Sequence, residues 1–230
     1  MFYVNLKYLK RKVFTVDKIS VIVPCFNEED VLPLFYQEVT KVLESIENTT
    51  YELLFINDGS SDHTEDLIKL MAHKNKQCFY YSFSRNFGKE AAMYAGLENA
   101  TGDYVVIMDA DLQHPPYLLK EMYRSLKEEN YDCSAGKRID RTGEGKLRNF
   151  LSHSFYKVIQ TLTKMDMDDG AGDFRMMTRQ MVDAILELKE YNRYMKGLFS
   201  FVGFNTKWLE FHNVERQGGN TKWSFKSLFS

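Results

Sequence analysis

Short apolar runs alternate along the first half of the chain with longer segments in which apolar residues recur every three or four positions. The short runs are typical of buried strands and lie at 19–23, 51–56, 78–83 and 103–108. The longer segments predict helices over 29–47, from a cap at Asp62 or Thr64 onward, and over 89–99. This alternation predicts an α/β fold with an open, mostly parallel sheet flanked by helices.

A cluster of polar residues follows each predicted strand, at 24–29, 57–62, 84–89 and 109–113. The carboxyl ends of parallel strands meet at one rim of the sheet, and ligands of such folds bind beyond that rim. Four polar clusters at successive strand ends therefore predict a single binding site.

The chemistry of that site is indicated by the segment YVVIMDADLQHPP at 104–116, where an apolar strand runs into two aspartates. Side chains alternate faces along a strand, so Asp109 and Asp111 are predicted to project to the same side. Gln113 joins them if the strand geometry extends that far. Proteins typically hold Mg²⁺ or Mn²⁺ with one or two carboxylates and complete the coordination with substrate phosphates, which suits a nucleotide diphosphate. The structural alternative is a solvated turn that happens to carry two acids.

Composition narrows the class of protein. With 230 residues and 44% hydrophobic content, the chain can bury a full core as one α/β domain, alone or with a small appendage. The net charge of -2 argues against a nucleic-acid partner. Three widely spaced cysteines form neither a disulfide framework nor a zinc motif, which favours a reducing, cytosolic setting. No apolar run reaches the roughly 20 residues that span a bilayer.

Two segments carry membrane-like patterns that also have ordinary structural interpretations. Residues 1–18 mix aromatic residues with Lys7, Lys10, Arg11 and Lys12, which suits either an anionic membrane surface or a solvated terminal segment. Residues 147–162 have the spacing of an amphipathic helix with basic residues between the apolar ones. Such a helix covers a sheet or lies in a lipid interface.

Four motifs of the first half resemble, in order and spacing, those of family 2 glycosyltransferases: PCFNEE at 24–29, NDGSSD at 57–62, SRNFGKE at 84–90 and DADLQHPP at 109–116. The second half is similar to the polyprenyl-phosphate glycosyltransferases, the group that includes dolichyl-phosphate mannose synthases, through GAGDFR at 170–175 and ERQGGNTKW at 215–223. The resemblance covers about residues 19 to 230. Within the group, the string QHPPYLLKE and the ending KWSFKSLF are most similar to bacterial enzymes that load N-acetylglucosamine onto undecaprenyl phosphate.

The resemblance implies a GT-A catalytic domain over 19–215 that uses Mg²⁺ or Mn²⁺ and inverts the sugar it transfers. The implied donor is UDP-N-acetylglucosamine, with UDP-glucose and GDP-mannose as alternatives, and the implied acceptor is undecaprenyl phosphate. Transfer is expected at the cytoplasmic face of the cell membrane. Residues 216–230 are expected to begin a juxtamembrane segment, so we expect this chain to be a truncated part of a membrane-anchored protein. A homo-oligomer is compatible with the resemblance.

The resemblance also assigns site residues. It implies nucleotide contacts by Pro24, Phe26, Glu28 and Asp58, with Phe26 standing where tyrosine is more usual. Asp109 is a further candidate for the nucleotide. Lys89 is a candidate because it follows Gly88 at a predicted helix start, where backbone N–H groups attract anions, and the alternative is a plain surface lysine. It implies metal ligands at Asp109, Asp111 and Gln113, and acceptor phosphate contacts at Arg138, Arg148, Arg175, Arg216 and Lys222. Asp111 and Asp173 are the implied catalytic residues.

The role of Asp173 stays open between a general base and a residue that positions the acceptor or holds Arg175. The acceptor is a phosphate monoester whose second pKa is about 6, so it is mostly ionised at cytosolic pH and needs no strong base. His114, between Gln113 and two prolines, is expected to be a loop residue rather than a ligand.

Two other functions share parts of the pattern. A processive polysaccharide synthase has the same fold and paired aspartates, but its Q-x-x-R-W element is absent from this sequence. A non-catalytic nucleotide-sugar-binding module at the membrane is the alternative from another class, and intact Asp109, Asp111 and Asp173 argue against it.

Overall fold

The computed structural model describes residues 16–139, 171–188 and 194–212. The strands in these ranges are β1 (Asp17–Cys25), β2 (Thr49–Asn57), β3 (Cys78–Ser82), β4 (Tyr104–Ile107), β5 (Cys133–Arg138), β6 (Ala171–Thr178) and β7 (Thr206–Phe211). The helices in the same ranges are α1 (Leu32–Glu44), α2 (Thr64–Lys74), α3 (Lys89–Asn99), α4 (Leu118–Glu128), α5 (Arg179–Glu187) and α6 (Met195–Phe201).

The strands form one mixed sheet in the order β3-β2-β1-β4-β6-β5-β7. β1 pairs in parallel with β2 and β4, β2 pairs in parallel with β3, and β5 pairs in parallel with β7. β6 is antiparallel to both of its neighbours, β4 and β5. The predicted α/β fold with a mostly parallel sheet is confirmed, and β6 is inserted into it against the common strand direction.

Helices cover both faces of the sheet, which explains why β1 is apolar at consecutive positions instead of alternating with polar residues. Val21 and Val23 pack with α1, α2 and α4, whereas Ile22 packs on the opposite face with α3, α5 and α6. A Cβ added at Gly96 would collide with the Ile22 side chain. The glycine therefore lets α3 lie directly against the sheet.

The structure corrects the predicted start of the first helix, because α1 begins at Leu32 and not at residue 29. The polar residues before it bond to the loop after β2: the Asn27 N–H donates to Ser60 Oγ at 3.0 Å, and the Glu29 N–H donates to Asp62 Oδ2 at 3.2 Å. Asp62 also accepts a hydrogen bond from the Thr64 N–H at 3.0 Å, which pairs the backbone N–H of the first residue of α2. The backbone N–H groups of Asn27 and Glu29 are thus held by side chains of the neighbouring loop.

No helix in residues 16–139, 171–188 and 194–212 is both long and apolar enough to cross a bilayer. The basic residues near the N-terminus and the amphipathic segment at 147–162 lie outside the described residues. Cys25, Cys78 and Cys133 are all buried free thiols.

Candidate active site

The polar clusters after β1, β2, β3 and β4 meet at one rim of the sheet, as the sequence predicts. Backbone hydrogen bonds join them where the strands end. The Asp58 N–H donates to the Cys25 carbonyl at 2.8 Å, and the Phe83 N–H donates to the Asn57 carbonyl at 2.9 Å. The rim is therefore a set of short connected loops on a rigid sheet, which is where this class of fold binds ligands.

The paired aspartates lie in a turn and not in a strand. β4 ends at Ile107, and Asp111 Oδ1 accepts a hydrogen bond of 3.1 Å from the Gln113 N–H. Leu112, which lies between Asp111 and Gln113, is buried and has a positive φ of 57°, which few residues other than glycine adopt. Strand alternation therefore does not set the directions of Asp109 and Asp111, and it does not extend to Gln113. The condition set for Gln113 is therefore not met, and the common direction of Asp109 and Asp111 stays a prediction.

β6 brings the third carboxylate to this turn. In its antiparallel pairing with β4, Arg175 lies opposite Ile107, so Asp173 is placed at the end of β4 where Asp109 follows. Lys89, the first residue of α3, lies between the two acids. Its Nζ is 2.7 Å from Asp109 Oδ1 and 2.8 Å from Asp173 Oδ2. Asp109, a predicted metal ligand from the first half of the chain, and Asp173, a predicted catalytic residue from the second half, are thus joined through one ammonium group.

The charges in this centre stabilise one another. Burial raises the pKa of Asp173, but Lys89 and Lys196 outweigh it and hold that pKa below its ordinary value. Desolvation lowers the pKa of Lys89, and the carboxylates of Asp109 and Asp173 more than offset it. Asp173 is therefore ionised and Lys89 protonated at neutral pH. Asp173 Oδ1 is buried and has no hydrogen-bond partner among the described residues, so it has acceptor capacity left for a ligand.

Arg175 is not placed as an exposed phosphate-binding residue. It is only 4% exposed, donates from Nη2 to the Gly172 carbonyl at 2.9 Å, and stacks its guanidinium on Phe199 with 3.8 Å to the ring centroid. The structure therefore corrects the expected direct contact with an acceptor phosphate. The buried positive charge lies close enough to Asp173 to favour its ionised form.

Asp58 connects two loops of the rim. Its carboxylate is buried and accepts hydrogen bonds from the backbone N–H groups of Phe87 at 2.7 Å and Gly88 at 3.0 Å. Burial raises the pKa of Asp58 in spite of these two bonds. Gly88 has a φ of 95° and immediately precedes Lys89, so this contact also fixes where Lys89 enters the site. Sequence reasoning assigned Asp58 to the nucleoside and did not foresee this structural contact.

His114 is a loop residue, as expected, but it is packed into the site. Its ring stacks on Phe174 with the centroids 4.9 Å apart and meets Phe211 edge-on. Desolvation lowers the pKa of His114, and Nδ1 is buried without a hydrogen-bond partner in the described part of the chain. In the sequence, only the position of His114 next to Gln113 in the DADLQHPP motif indicated that it lies near the site.

The remaining predicted residues divide into two groups. Pro24 lies near the carboxyl end of β1, Phe26 and Glu28 lie in the loop that follows, and Arg138 ends β5 on the same rim. The Glu28 N–H donates to Thr64 Oγ1 at 2.8 Å, which holds that loop against the start of α2. Arg148, Arg216 and Lys222 lie outside the described residues.

The residues of the turn suit a divalent metal that shares its coordination with a substrate. Within the described ranges, no group of three or more His, Cys, Asp and Glu side chains forms a complete metal cage. Mg²⁺ and Mn²⁺ do not require one, because one or two carboxylates and the phosphates of a nucleotide suffice. The carboxylate of Asp109 already holds a cationic group, the Lys89 ammonium, so its position stabilises positive charge.

Comparisons with known proteins show the family of the chain. The family model described as glycosyl transferase family 2 matches residues 20–186. CsbB of Bacillus subtilis is 47% identical over 212 residues, which is 92% of this chain and 64% of the relative. The prophage bactoprenol glucosyl transferase homolog of Escherichia coli is 39% identical over 217 residues, 93% of this chain and 69% of the relative. The chain thus spans about two thirds of the length of these relatives.

Solved structures share the fold at low sequence identity. Mannosyltransferase PcManGT from Pyrobaculum calidifontis, solved with GDP-Man and Mn²⁺, has a TM-score of 0.60 at 18% identity, covering 87% of this chain and 57% of its own. Glucosyl-3-phosphoglycerate synthase from Mycobacterium tuberculosis, solved with Mn²⁺ and UDP-glucose, has a TM-score of 0.58 at 19% identity, covering 92% and 74%. These likenesses show the GT-A fold. The match of the family model over residues 20–186, with the sequence relatives above, establishes that the chain belongs to glycosyl transferase family 2.

Proposed function

We propose that this chain is the catalytic domain of an enzyme that transfers a sugar from a nucleoside diphosphate to undecaprenyl phosphate. The observation that carries the proposal is the Asp109–Lys89–Asp173 centre at the ligand-binding rim of a family 2 fold. The lipid acceptor is supported by relatives that are named bactoprenol glucosyl transferases. In this proposal, the reaction takes place at the cytoplasmic face of the cell membrane.

In this proposal, the loops after β1 and β2 bind the nucleoside through Pro24, Phe26, Glu28 and Asp58. Asp109, Asp111 and Gln113 are the residues that would hold Mg²⁺ or Mn²⁺. When bound, the cation supplies positive charge that stabilises the departing diphosphate. Lys89 adds a second positive charge at the same edge of the site.

The transfer needs no proton to be removed. An oxygen of the acceptor phosphate forms a bond to the anomeric carbon as the bond from that carbon to the donor diphosphate breaks, and the diphosphate leaves with the electron pair. The anomeric configuration is inverted because attack and departure take place on opposite faces. Since the acceptor is already mostly a dianion, the low pKa of Asp173 is compatible with positioning the reactants and argues against a base.

Three donors are candidates in this proposal. UDP-N-acetylglucosamine is the first candidate, on the resemblance of the motifs to bacterial enzymes that use it. UDP-glucose is the second, because several relatives carry names of glucosyl transferases. GDP-mannose is the third, since a structural relative was solved with it.

The proposal is tested by measuring transfer of radiolabel from each of the three donors to undecaprenyl phosphate in membranes that contain the protein. We expect a glycolipid with one of the donors in Mg²⁺ or Mn²⁺, and none with EDTA or with the Asp111→Ala variant. Asp66→Ala is the matched control, because Asp66 lies on α2 with its side chain 76% exposed. It should retain transfer.

The outcomes separate the alternatives. A product that resists EDTA would contradict a metal-dependent site. Binding of UDP without transfer from any of the three donors would favour a non-catalytic nucleotide-sugar-binding module.

A further inference from the structure

The ammonium of Lys89, a predicted nucleotide-binding residue, lies between the predicted metal ligand Asp109 and the predicted catalytic residue Asp173. Nζ contacts both oxygens of Asp109, at 2.7 Å and 2.8 Å, and Oδ2 of Asp173 at 2.8 Å. The three residues come from α3, the turn after β4, and β6. The ammonium therefore connects α3 to two segments that the pairing of β4 with β6 brings together.

The ammonium compensates charge that would otherwise be repulsive. Two carboxylates that share one small site disfavour joint ionisation, and a cation between them removes that penalty. Asp109 and Asp173 have side chains that are 28% and 13% exposed, so solvent screens them only in part. A divalent metal at Asp109 would meet the positive charge of Lys89 at close range, where like charges repel.

Lys89 is also placed so that its side chain has room to move. It is 41% exposed, whereas its two partners lie on a turn and a strand that are held by the sheet. Its stem starts at the first position of α3, where unpaired backbone N–H groups also attract anions. A nucleotide diphosphate at this end of the helix would offer the ammonium a new anionic partner.

We propose that Lys89 is an internal counter-ion that holds Asp109 and Asp173 together in the ligand-free enzyme and exchanges this position for the donor diphosphate. This inference rests on the proposed function and deepens it. Without a donor, Lys89 competes with the metal for Asp109, so the metal alone binds weakly. With a donor, the diphosphate pairs with the Lys89 ammonium, which then no longer competes with the metal for Asp109. Metal and donor consequently bind with positive coupling, part of which is carried by Lys89.

The test is the affinity of the purified chain for Mn²⁺, measured from the electron paramagnetic resonance signal of free Mn²⁺, without and with UDP. The Lys89→Met variant should bind Mn²⁺ alone at least about tenfold more tightly than the unmodified chain, because a competing charge is removed. UDP should strengthen Mn²⁺ binding by a smaller factor in Lys89→Met than in the unmodified chain. In EDTA, Lys89→Met should melt at a lower temperature than the unmodified chain. Addition of Mn²⁺ should raise the melting temperature of Lys89→Met by more than it raises that of the unmodified chain.

Lys69→Met is the matched control. Lys69 lies on α2 and pairs with Glu65 at 2.8 Å, so the substitution also removes a lysine-carboxylate pair but leaves the centre intact. Its Mn²⁺ affinity and its coupling to UDP should equal those of the unmodified chain. If Lys89→Met does not fold, Lys89→Gln removes the charge and keeps hydrogen-bond donors for both carboxylates, and the same result is expected of it.

Equal or weaker Mn²⁺ binding by a folded, uncharged Lys89 variant would overturn the inference while leaving the proposed function in place. If the unmodified chain and all variants fail to bind both Mn²⁺ and UDP, the proposed function itself is overturned, and the inference with it.

Discussion

A single residue, Asp173, links the charge distribution of the site to the pH dependence of the reaction. Its pKa is below the ordinary value, because Lys89 and Lys196 outweigh the effect of burial. Asp173 therefore stays ionised throughout the range in which a phosphate monoester takes up its second proton, near a pKa of about 6. Protonation of the acceptor, and not of Asp173, should slow the enzyme as the pH falls.

The variant Asp173→Asn tests this assignment. We expect kcat to fall by less than about tenfold, since a working general base contributes about 10²–10⁴-fold. We also expect KM for the lipid phosphate to rise, because a positioning carboxylate is lost. The decline of kcat/KM on the acid side should remain near pH 6 in both proteins. A variant that loses this decline, or loses more than about 100-fold in kcat, would indicate that Asp173 accepts a proton.

Among the elements of the site, the loop after β2 and the loop after β3 depend on each other. Gly59 has a φ of 65°, and a Cβ at this position would lie 2.4–2.8 Å from backbone atoms of Arg85 and Asn86. Asp58, next to Gly59, accepts hydrogen bonds from Phe87 and Gly88, which follow Arg85 and Asn86 in the loop after β3. The glycine thus permits the close approach through which Asp58 positions the start of α3.

Gly59→Ala should separate these two loops. The backbone strain of alanine at a positive φ costs about 1–2 kcal/mol, and the contact with backbone atoms adds to it. The matched control is Gly203→Ala, because Gly203 has a φ of 69° but nothing within 4 Å of an added Cβ. We expect denaturant unfolding to show a larger loss of stability for Gly59→Ala, and only that variant should have a raised KM for the donor. Equal losses and an unchanged KM in the two variants would contradict this role.

In the whole molecule, a buried acid connects the first two strands to the connection between α3 and β4. Glu52 is 3% exposed and accepts hydrogen bonds from Ser20 Oγ at 2.6 Å and the Thr101 N–H at 2.8 Å, while the Lys18 ammonium lies 2.5 Å away. Desolvation raises the pKa of Glu52, but Lys18, Ser20 and Thr101 together lower it below its ordinary value. The ionised form is therefore the one that stabilises the fold.

Because the pKa of Glu52 is lower in the folded chain than in the unfolded chain, its contribution is present at neutral pH and is lost as the pH falls through the lowered value. Glu52→Gln should reduce the free energy of unfolding by about 1–3 kcal/mol at pH 7, and the difference from the unmodified chain should shrink in acid. Denaturant titrations at pH 7 and below pH 4 measure this. The control Glu98→Gln, on the exposed surface of α3, should show little change at either pH. A difference that stays constant with pH would contradict the ionised role of Glu52.

The sequence by itself determined the features that depend on local patterns. Consecutive apolar residues indicated the buried strands of the first half, and the polar clusters after them indicated a common binding rim. The motifs around Asp109 and Asp111 indicated a family 2 glycosyltransferase. Side-chain polarity over a few residues suffices for the first two inferences, which is why the fold class could be predicted. The family was indicated by the resemblance of the motifs.

Only the tertiary structure decided how the two halves meet. The insertion of β6 against the direction of the sheet depends on pairing between residues about 70 positions apart, Ile107 with Arg175, and no local pattern encodes that pairing. It places Asp173 beside Asp109 and buries Arg175 against Phe199. It also makes Lys89 their shared counter-ion. The positions of these charges depend on packing and on the low solvent access of the site, which exist only after the sheet has assembled.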